Sequence, residues 1–157
     1  MAYDLENLLD DVKGIMTTNL NTKISAINSE KSDTTTLLTV DNSAYFLQEL
    51  DNTSVNYNPF VFYNCEEIEG TGLGPLTPQE FLINCIIVVA HQSAQGDLPI
   101  RMFRYLRCFK EIFEENFSIK ANANFISINL LTPIPLTSLN ETQEFRATGI
   151  QIKTSLG

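Results

Sequence analysis

The sequence predicts an α+β fold: a mostly antiparallel sheet of about four to five strands packed with two helices, in the order α–β–β–β–α–β–β. Three observations carry that expectation. A helical apolar period runs from Leu5 to Ile27, and a second, richer in aromatic rings, runs from Ile100 to Phe117. Between and after them lie short apolar runs bounded by turn residues, the longest being Phe81-Leu-Ile-Asn-Cys-Ile-Ile-Val-Val-Ala90. With 157 residues, 43% hydrophobic and 18% charged, the chain reads as a single domain, 1–157, able to bury a core without staples.

Leu5, Leu8, Leu9, Val12, Ile15, Met16, Leu20, Ile24 and Ile27 set a first helix over 3–28, weakened in the middle by Gly14 and Thr17-Thr18-Asn19. Its outer face starts strongly acidic, with Asp4, Glu6, Asp10 and Asp11. A polar loop over 29–36 leads to two strand-length runs, 37–40 and 44–50, the second also compatible with a helical turn. After a turn-rich excursion over 51–59, residues 60–65 read as a strand fraying into Glu66, Glu67 and Glu69. Gly70, Gly72 and Gly74 then turn the chain back, which predicts an antiparallel hairpin with the strand over 80–91. That second strand is apolar in both alternation phases, as expected when both faces are covered.

The helix over 97–117 is the element around which the rest is arranged. Asp97 suits an N-cap and Pro99 a first turn. Ile100, Phe103, Leu106, Phe109, Phe113 and Phe117 are expected on the face that meets the sheet, with Arg101, Arg104 and Arg107 on a second stripe. A strand over 125–131 ends before Pro133 and Pro135. The last strand, 144–154, changes parity between Phe145/Ala147 and Ile150/Ile152, which predicts a bulge at Gly149.

Charge is divided unevenly. Residues 1–80 hold 13 acidic and 3 basic side chains, net −10, and residues 81–157 hold 6 and 7, net +1. The total of −9 disfavours gripping phosphate backbones, which takes clustered Lys and Arg. Cys65, Cys85 and Cys108 have no metal-like spacing and read as buried free thiols. The acidic start, Met1 to Glu6, has no basic signal-peptide segment, and the apolar run from Cys85 to Ala90 is too short to span a bilayer, so no membrane partner is expected.

Catalytic chemistry finds little support. The Gly70–Gly74 run lacks the Lys-Ser/Thr of a phosphate-binding loop. His91, Ser93 and Asp97 sit in one short loop, whereas triads are assembled from separate elements. A single His and no compact acidic cluster disfavour a transition-metal site. The expectation is a non-enzymatic chain with no cofactor, metal or catalytic residue. Glu66, Glu67, Glu69, Gly70, Gly72 and Gly74 are read as a projecting contact loop. The Arg101/Arg104/Arg107 stripe and Asp4, Glu6, Asp10 and Asp11 are read as the two halves of a subunit interface.

Several features together resemble one family. They are the long N-terminal helix, the Asn58-Pro59-Phe60-Val-Phe-Tyr63 strand, and the acidic hairpin ending at Gly74-Pro75. The long Ile-Val-rich strand, the Arg101-Met-Phe-Arg-Tyr-Leu-Arg107 helix and a final strand carrying Phe145-Arg-Ala147 complete the set. Over nearly the whole chain this order resembles the tail terminator (neck, or tail-completion) proteins of tailed bacteriophages and related contractile particles. The resemblance implies a homohexameric ring in the virion neck, made in the host cytoplasm. Such a ring caps the tail tube and joins it to the head connector. DNA passes through the lumen without specific binding, and an acidic lumen would let it slide. The competing expectations are a small acidic intracellular adaptor or inhibitor binding one protein partner and, further off, a hydrolase using His91.

Overall fold

The long apolar run becomes the centre of one sheet, paired along both edges. In the computed structural model, which describes residues 5–47, 56–68, 79–91, 96–116, 118–119, 123–136 and 145–156, the elements are α1 (Leu5–Lys31), β1 (Tyr45–Leu47), β2 (Phe60–Glu67), β3 (Gln79–Ala90), α2 (Leu98–Glu115), β4 (Ser118–Ile119), β5 (Ala123–Leu136) and β6 (Phe145–Leu156). The sheet order is β1-β2-β3-β6-β5-β4, antiparallel throughout except for the parallel β1–β2 pair. The class is α+β, and the expected β2–β3 hairpin pairing is present, Phe60 opposite Val88 through Glu67 opposite Phe81.

Strand alternation gives the sheet two faces. Phe81, Ile83, Cys85, Ile87 and Val89 share one face with Val61, Tyr63, Ile150 and Ile152, and all are buried where the helices pack. On the opposite face only one end is covered: Phe60, Val88, Ala90, Phe145 and Ala147 are buried, while Leu82, Asn84 and Ile86 are half-buried. Covering of β3 on both sides therefore holds only at its end, at Val88 and Ala90. The β6 parity change has the same origin, because Phe145 and Ala147 belong to the smaller apolar patch and Ile150 and Ile152 to the main core. No bulge is needed at Gly149, and the β3–β6 register runs through it unbroken. Gly149 is required for another reason: a Cβ there would run into the carbonyl oxygen of Cys85. Register irregularities lie in β5 instead, one between Phe125 and Ser127 and one between Leu131 and Ile134, where Pro133 has no N–H to give to a ladder; β5 does not end at 131 as expected but continues past both prolines to Leu136. The Thr148 hydroxyl donates to the Leu131 carbonyl there, at 2.7 Å.

Residues 37–40 are extended, as their composition predicts, but join no strand. Their backbone groups are bonded by side chains of both helices. Asn28 of α1 accepts from Leu37 N–H (2.8 Å) and donates to its carbonyl (3.0 Å). Asn21 does the same for Val40, at 2.8 and 2.9 Å. From α2, the Tyr105 hydroxyl accepts from Leu38 N–H and donates to Leu38 O, both at 2.8 Å. Leu37 and Val40 are thereby set into the core as a strap between the helices. Of the run over 44–50, Tyr45–Leu47 form β1 and the remainder lies outside the described residues.

Asp97 caps α2 by accepting from Ile100 N–H at 3.2 Å, with Pro99 in the first turn, as expected. The buried face is rotated from the expected one. Leu98, Met102, Tyr105, Cys108, Phe109, Ile112 and Phe113 point inward, with Leu106 at the margin, whereas Phe103 is 61% and Ile100 44% exposed. Counting aromatic rings placed the face too far round, because its true centre includes the polar residues Arg101 and Tyr105. Phe117 lies outside the described residues. Urea denaturation should separate the two kinds of ring: Phe109→Ala should cost about 3–5 kcal/mol. Phe103→Ala should change stability by no more than about 0.5 kcal/mol. Equal losses would contradict this rotation of the helix.

Candidate interaction surfaces

Residues three apart on a helix fall about 60° short of a full turn, so a stripe at i, i+3, i+6 slants round the cylinder. Arg101, Arg104 and Arg107 accordingly run from the core to the surface. Arg101 is fully buried. The Arg104 guanidinium donates to both carboxylate oxygens of Asp33, at 2.6 and 3.0 Å, and to the carbonyl of Thr35 at 2.6 Å. Arg107 forks onto Glu30 at 2.8 and 3.0 Å while its Nε donates to Glu111 at 2.9 Å. Lys23 joins the same seam by pairing with Glu115. These contacts set α1 antiparallel to α2, with the end of α1 beside the start of α2. The bonds from Arg104 and Arg107 hold the carboxyls of Asp33 and Glu30 below their ordinary range, and both guanidinium groups are correspondingly raised.

The expected solvent-facing cationic stripe is thus largely internal. Arg101 and Arg104 present no free charge to another molecule, and Arg107 is partly exposed but ion-paired. In the first turns of α2, Ile100 and Phe103 face outward. They line a shallow cavity of about 290 Å³ together with Lys31, Arg104 and Arg107. Both apolar residues were expected in the core, and Lys31 carries no sequence signal of its own. The slant of the arginine stripe was the available signal, since a stripe that starts buried at Arg101 cannot stay exposed throughout.

Of the acidic residues, Glu6 and Asp10 are exposed, Asp11 is half-buried, and Asp4 lies outside the described residues. In the expected contact loop, Glu66 is exposed at the end of β2, and Glu67 continues the ladder opposite Phe81. Glu69, Gly70, Gly72 and Gly74 lie outside the described residues.

A second surface occupies the far face of the sheet. Phe62, Ile86, Leu131, Thr132, Ile134, Ala147 and Thr148 line a groove of about 340 Å³, its wall formed by the irregular turn of β5. A row of amides crosses the strands beside it: Asn84 donates to Asn64 at 2.7 Å, and Gln151 donates to Asn84 at 3.1 Å.

His91 is exposed, Ser93 lies outside the described residues, and Asp97 is engaged as the helix cap. Burial pushes the Cys65 thiol to about 11 and Cys108 to about 12, and raises Cys85 further, so all three stay protonated at neutral pH. Among the described residues, no three His, Cys, Asp or Glu side chains are placed to hold a metal ion, and no helix is long and apolar enough to cross a membrane. No protein-family model matches this chain, and no curated protein matches it.

Asp33 gives the surface a pH signature. A carboxyl whose folded pKa is depressed stabilises the fold above its unfolded value, and that contribution is lost as pH falls through the folded one. Melting temperature followed from neutral pH to about pH 2, through the ordinary carboxylate range near about 4, should fall on acidification. Asp33→Asn should melt lower at neutral pH and converge on the unsubstituted protein in acid. Parallel curves at every pH would mean that the Arg104–Asp33 fork contributes nothing.

Proposed function

We propose that this chain is a non-enzymatic assembly protein that associates head to tail into a ring, as a tail terminator or neck subunit does. The observation that carries this reading is the outward Ile100/Phe103 pair on α2, with Lys31, Arg104 and Arg107 around it. An exposed aromatic ring beside an aliphatic one, rimmed by cations, has the character of a docking site more than of a solvated helix face.

Charge differs between the two ends of α1: at the patch Lys31 is exposed, while Arg104 and Arg107 are already ion-paired. Glu30 meets Arg107 beside this patch, while the exposed acids Glu6 and Asp10 lie near the opposite end of the same helix. Glu6 and Glu30 are roughly 36 Å apart at about 1.5 Å per residue. A two-fold dimer with antiparallel helices and a head-to-tail contact both set the acidic end of one copy against the Ile100/Phe103 patch of another, but only the head-to-tail contact leaves a free acidic end and a free patch through which further copies join. A closing rotation then gives a ring, and the hexamer, the tail tube and the head connector follow from the family resemblance. Complementary charge would fix register, and Ile100 and Phe103 would supply apolar burial. The adaptor reading uses the same patch for a single foreign partner.

Mass in solution, or copy number in assembled particles, distinguishes the two. The ring reading expects six copies, and an adaptor expects a monomer or a one-to-one complex. Phe103→Glu should keep the far-ultraviolet spectrum and the melting temperature near those of the unsubstituted protein while reducing the ring to single subunits. Assembly of Phe103→Glu indistinguishable from the unsubstituted protein would remove this patch from the interface.

A further inference from the structure

At 14 residues, β5 is the longest described strand, and its outer side is the least covered. Its inner side pairs with β6, from Ala123 opposite Leu156 to Leu136 opposite Phe145. On the outer side β4 reaches only Ala123 and Asn124. From Phe125 onward no strand among the described residues lies beyond it. In an antiparallel pair only alternate residues exchange bonds with the neighbouring strand, and the groups of the residues between them point away. The outer edge of β5 therefore presents a row of unpaired backbone donors and acceptors.

An edge of this kind is ordinarily guarded by charged side chains, lysine above all, by proline or by bulges. No residue of β5 is charged, in a chain that is 18% charged. Its guards stand at the two ends: the register shift between Phe125 and Ser127, and the shift between Leu131 and Ile134 with Pro133 and Pro135. Between them the run over 127–131, Ser-Ile-Asn-Leu-Leu, keeps an unbroken register with β6 and has no proline, glycine or charge. Ile128 and Leu130 stand opposite Ile152 and Ile150, on the helix side of the sheet, yet Leu130 is 47% exposed. Ser127 and Asn129 alternate with them on the far side, and Asn129 is exposed.

An extended chain is the occupant whose own backbone matches such a row. A second copy of this edge fits it poorly. Antiparallel self-pairing over 127–131 sets the shift beside Phe125 of one copy against the proline-bearing shift of the other, at both ends of the run. Each copy also brings a net charge of −9. A segment without a fold of its own can follow both bends, and with no charge on β5 to pair, it gains nothing from charged residues.

We propose that the outer edge of β5, over 127–131, takes up an extended, uncharged segment of a different protein as an added strand. Backbone bonds to β5 hold it. Its apolar residues alternate with polar ones, the apolar set lying beside Ile128 and Leu130 and the polar set beside Ser127 and Asn129. The edge shares no residue with the Ile100/Phe103 patch, so this contact stands whether or not the chain forms a ring.

The probe is a displayed library of random peptides of about eight residues, a common strand length, selected on the full chain. Peptides that bind should be uncharged and alternate apolar with polar residues. The tightest, made synthetically, should slow amide exchange within 127–131. N-methylation of its alternate backbone nitrogens keeps every side chain and removes donors, and in one of the two phases it should weaken binding by about tenfold or more. Leu130→Lys, which supplies the guard charge this edge lacks, should weaken it by about as much. A library without a binder, binding indifferent to N-methylation in both phases, or protection confined to other elements would overturn the proposal. Self-association of the chain that Leu130→Lys abolishes would overturn it too, by making a second copy the occupant. Exchange and N-methylation are read on the unsubstituted protein, so the result stands even if Leu130→Lys does not fold.

Discussion

The strap over residues 37–40 is the constraint on which the arrangement depends. An extended segment carries a full set of backbone donors and acceptors, and burying it without a strand neighbour would leave them unsatisfied. Here side chains take the place of the neighbouring strand. An Asn amide offers one acceptor and two donors, enough to bracket both backbone groups of one residue. Asn21 and Asn28 are two helical turns apart, about 10 Å at about 1.5 Å per residue, and so lie on one face of α1. Leu37 and Val40 are separated by a similar distance, about 10 Å at about 3.3 Å per residue. The two periods match over that span, which lets a helix grip an extended chain at two points.

From the strap the orientation of α2 follows. Tyr105 holds Leu38, and Arg104 reaches Asp33 and the Thr35 carbonyl. Gly96, at φ 86°, lies so close to Thr35 that any side chain would collide with it. These contacts, made by the first half of α2 and by Gly96 just before it, fix its rotation about its own axis. That rotation buries Arg101 and turns Ile100 and Phe103 to the outside. The same device that ties the helices together therefore leaves an apolar, cation-rimmed patch on the surface and, inside, an Arg101 guanidinium with no hydrogen-bond partner among the described residues.

The class, the two helices and the β2–β3 hairpin were legible in the sequence, because apolar periodicity and turn residues are local signals. The run over 37–40 was legible as extended chain but not as a strap, since bonds from Asn21, Asn28 and Tyr105 to its backbone leave no periodic trace. The face of α2 was misread for a related reason. Hydrophobic spacing gives Phe103 weight and Arg101 none, yet ion pairs and the Tyr105 clamp decide the rotation. Gly149 was noticed at the right place for the wrong cause: its parity change reflects two apolar faces and its small size reflects the Cys85 carbonyl. The arginine stripe was seen as one surface, although its geometry carries it from the core outward.

Amide hydrogen exchange of Leu37, Leu38 and Val40, read residue by residue, tests this account most directly. If side chains of both helices bond the strap, these three amides should exchange on the slow timescale of the β3 amides and speed up together when Tyr105 is replaced by Phe. Exchange as fast as that of an exposed loop would mean that the strap is not held, and the derived rotation of α2 would lose its basis.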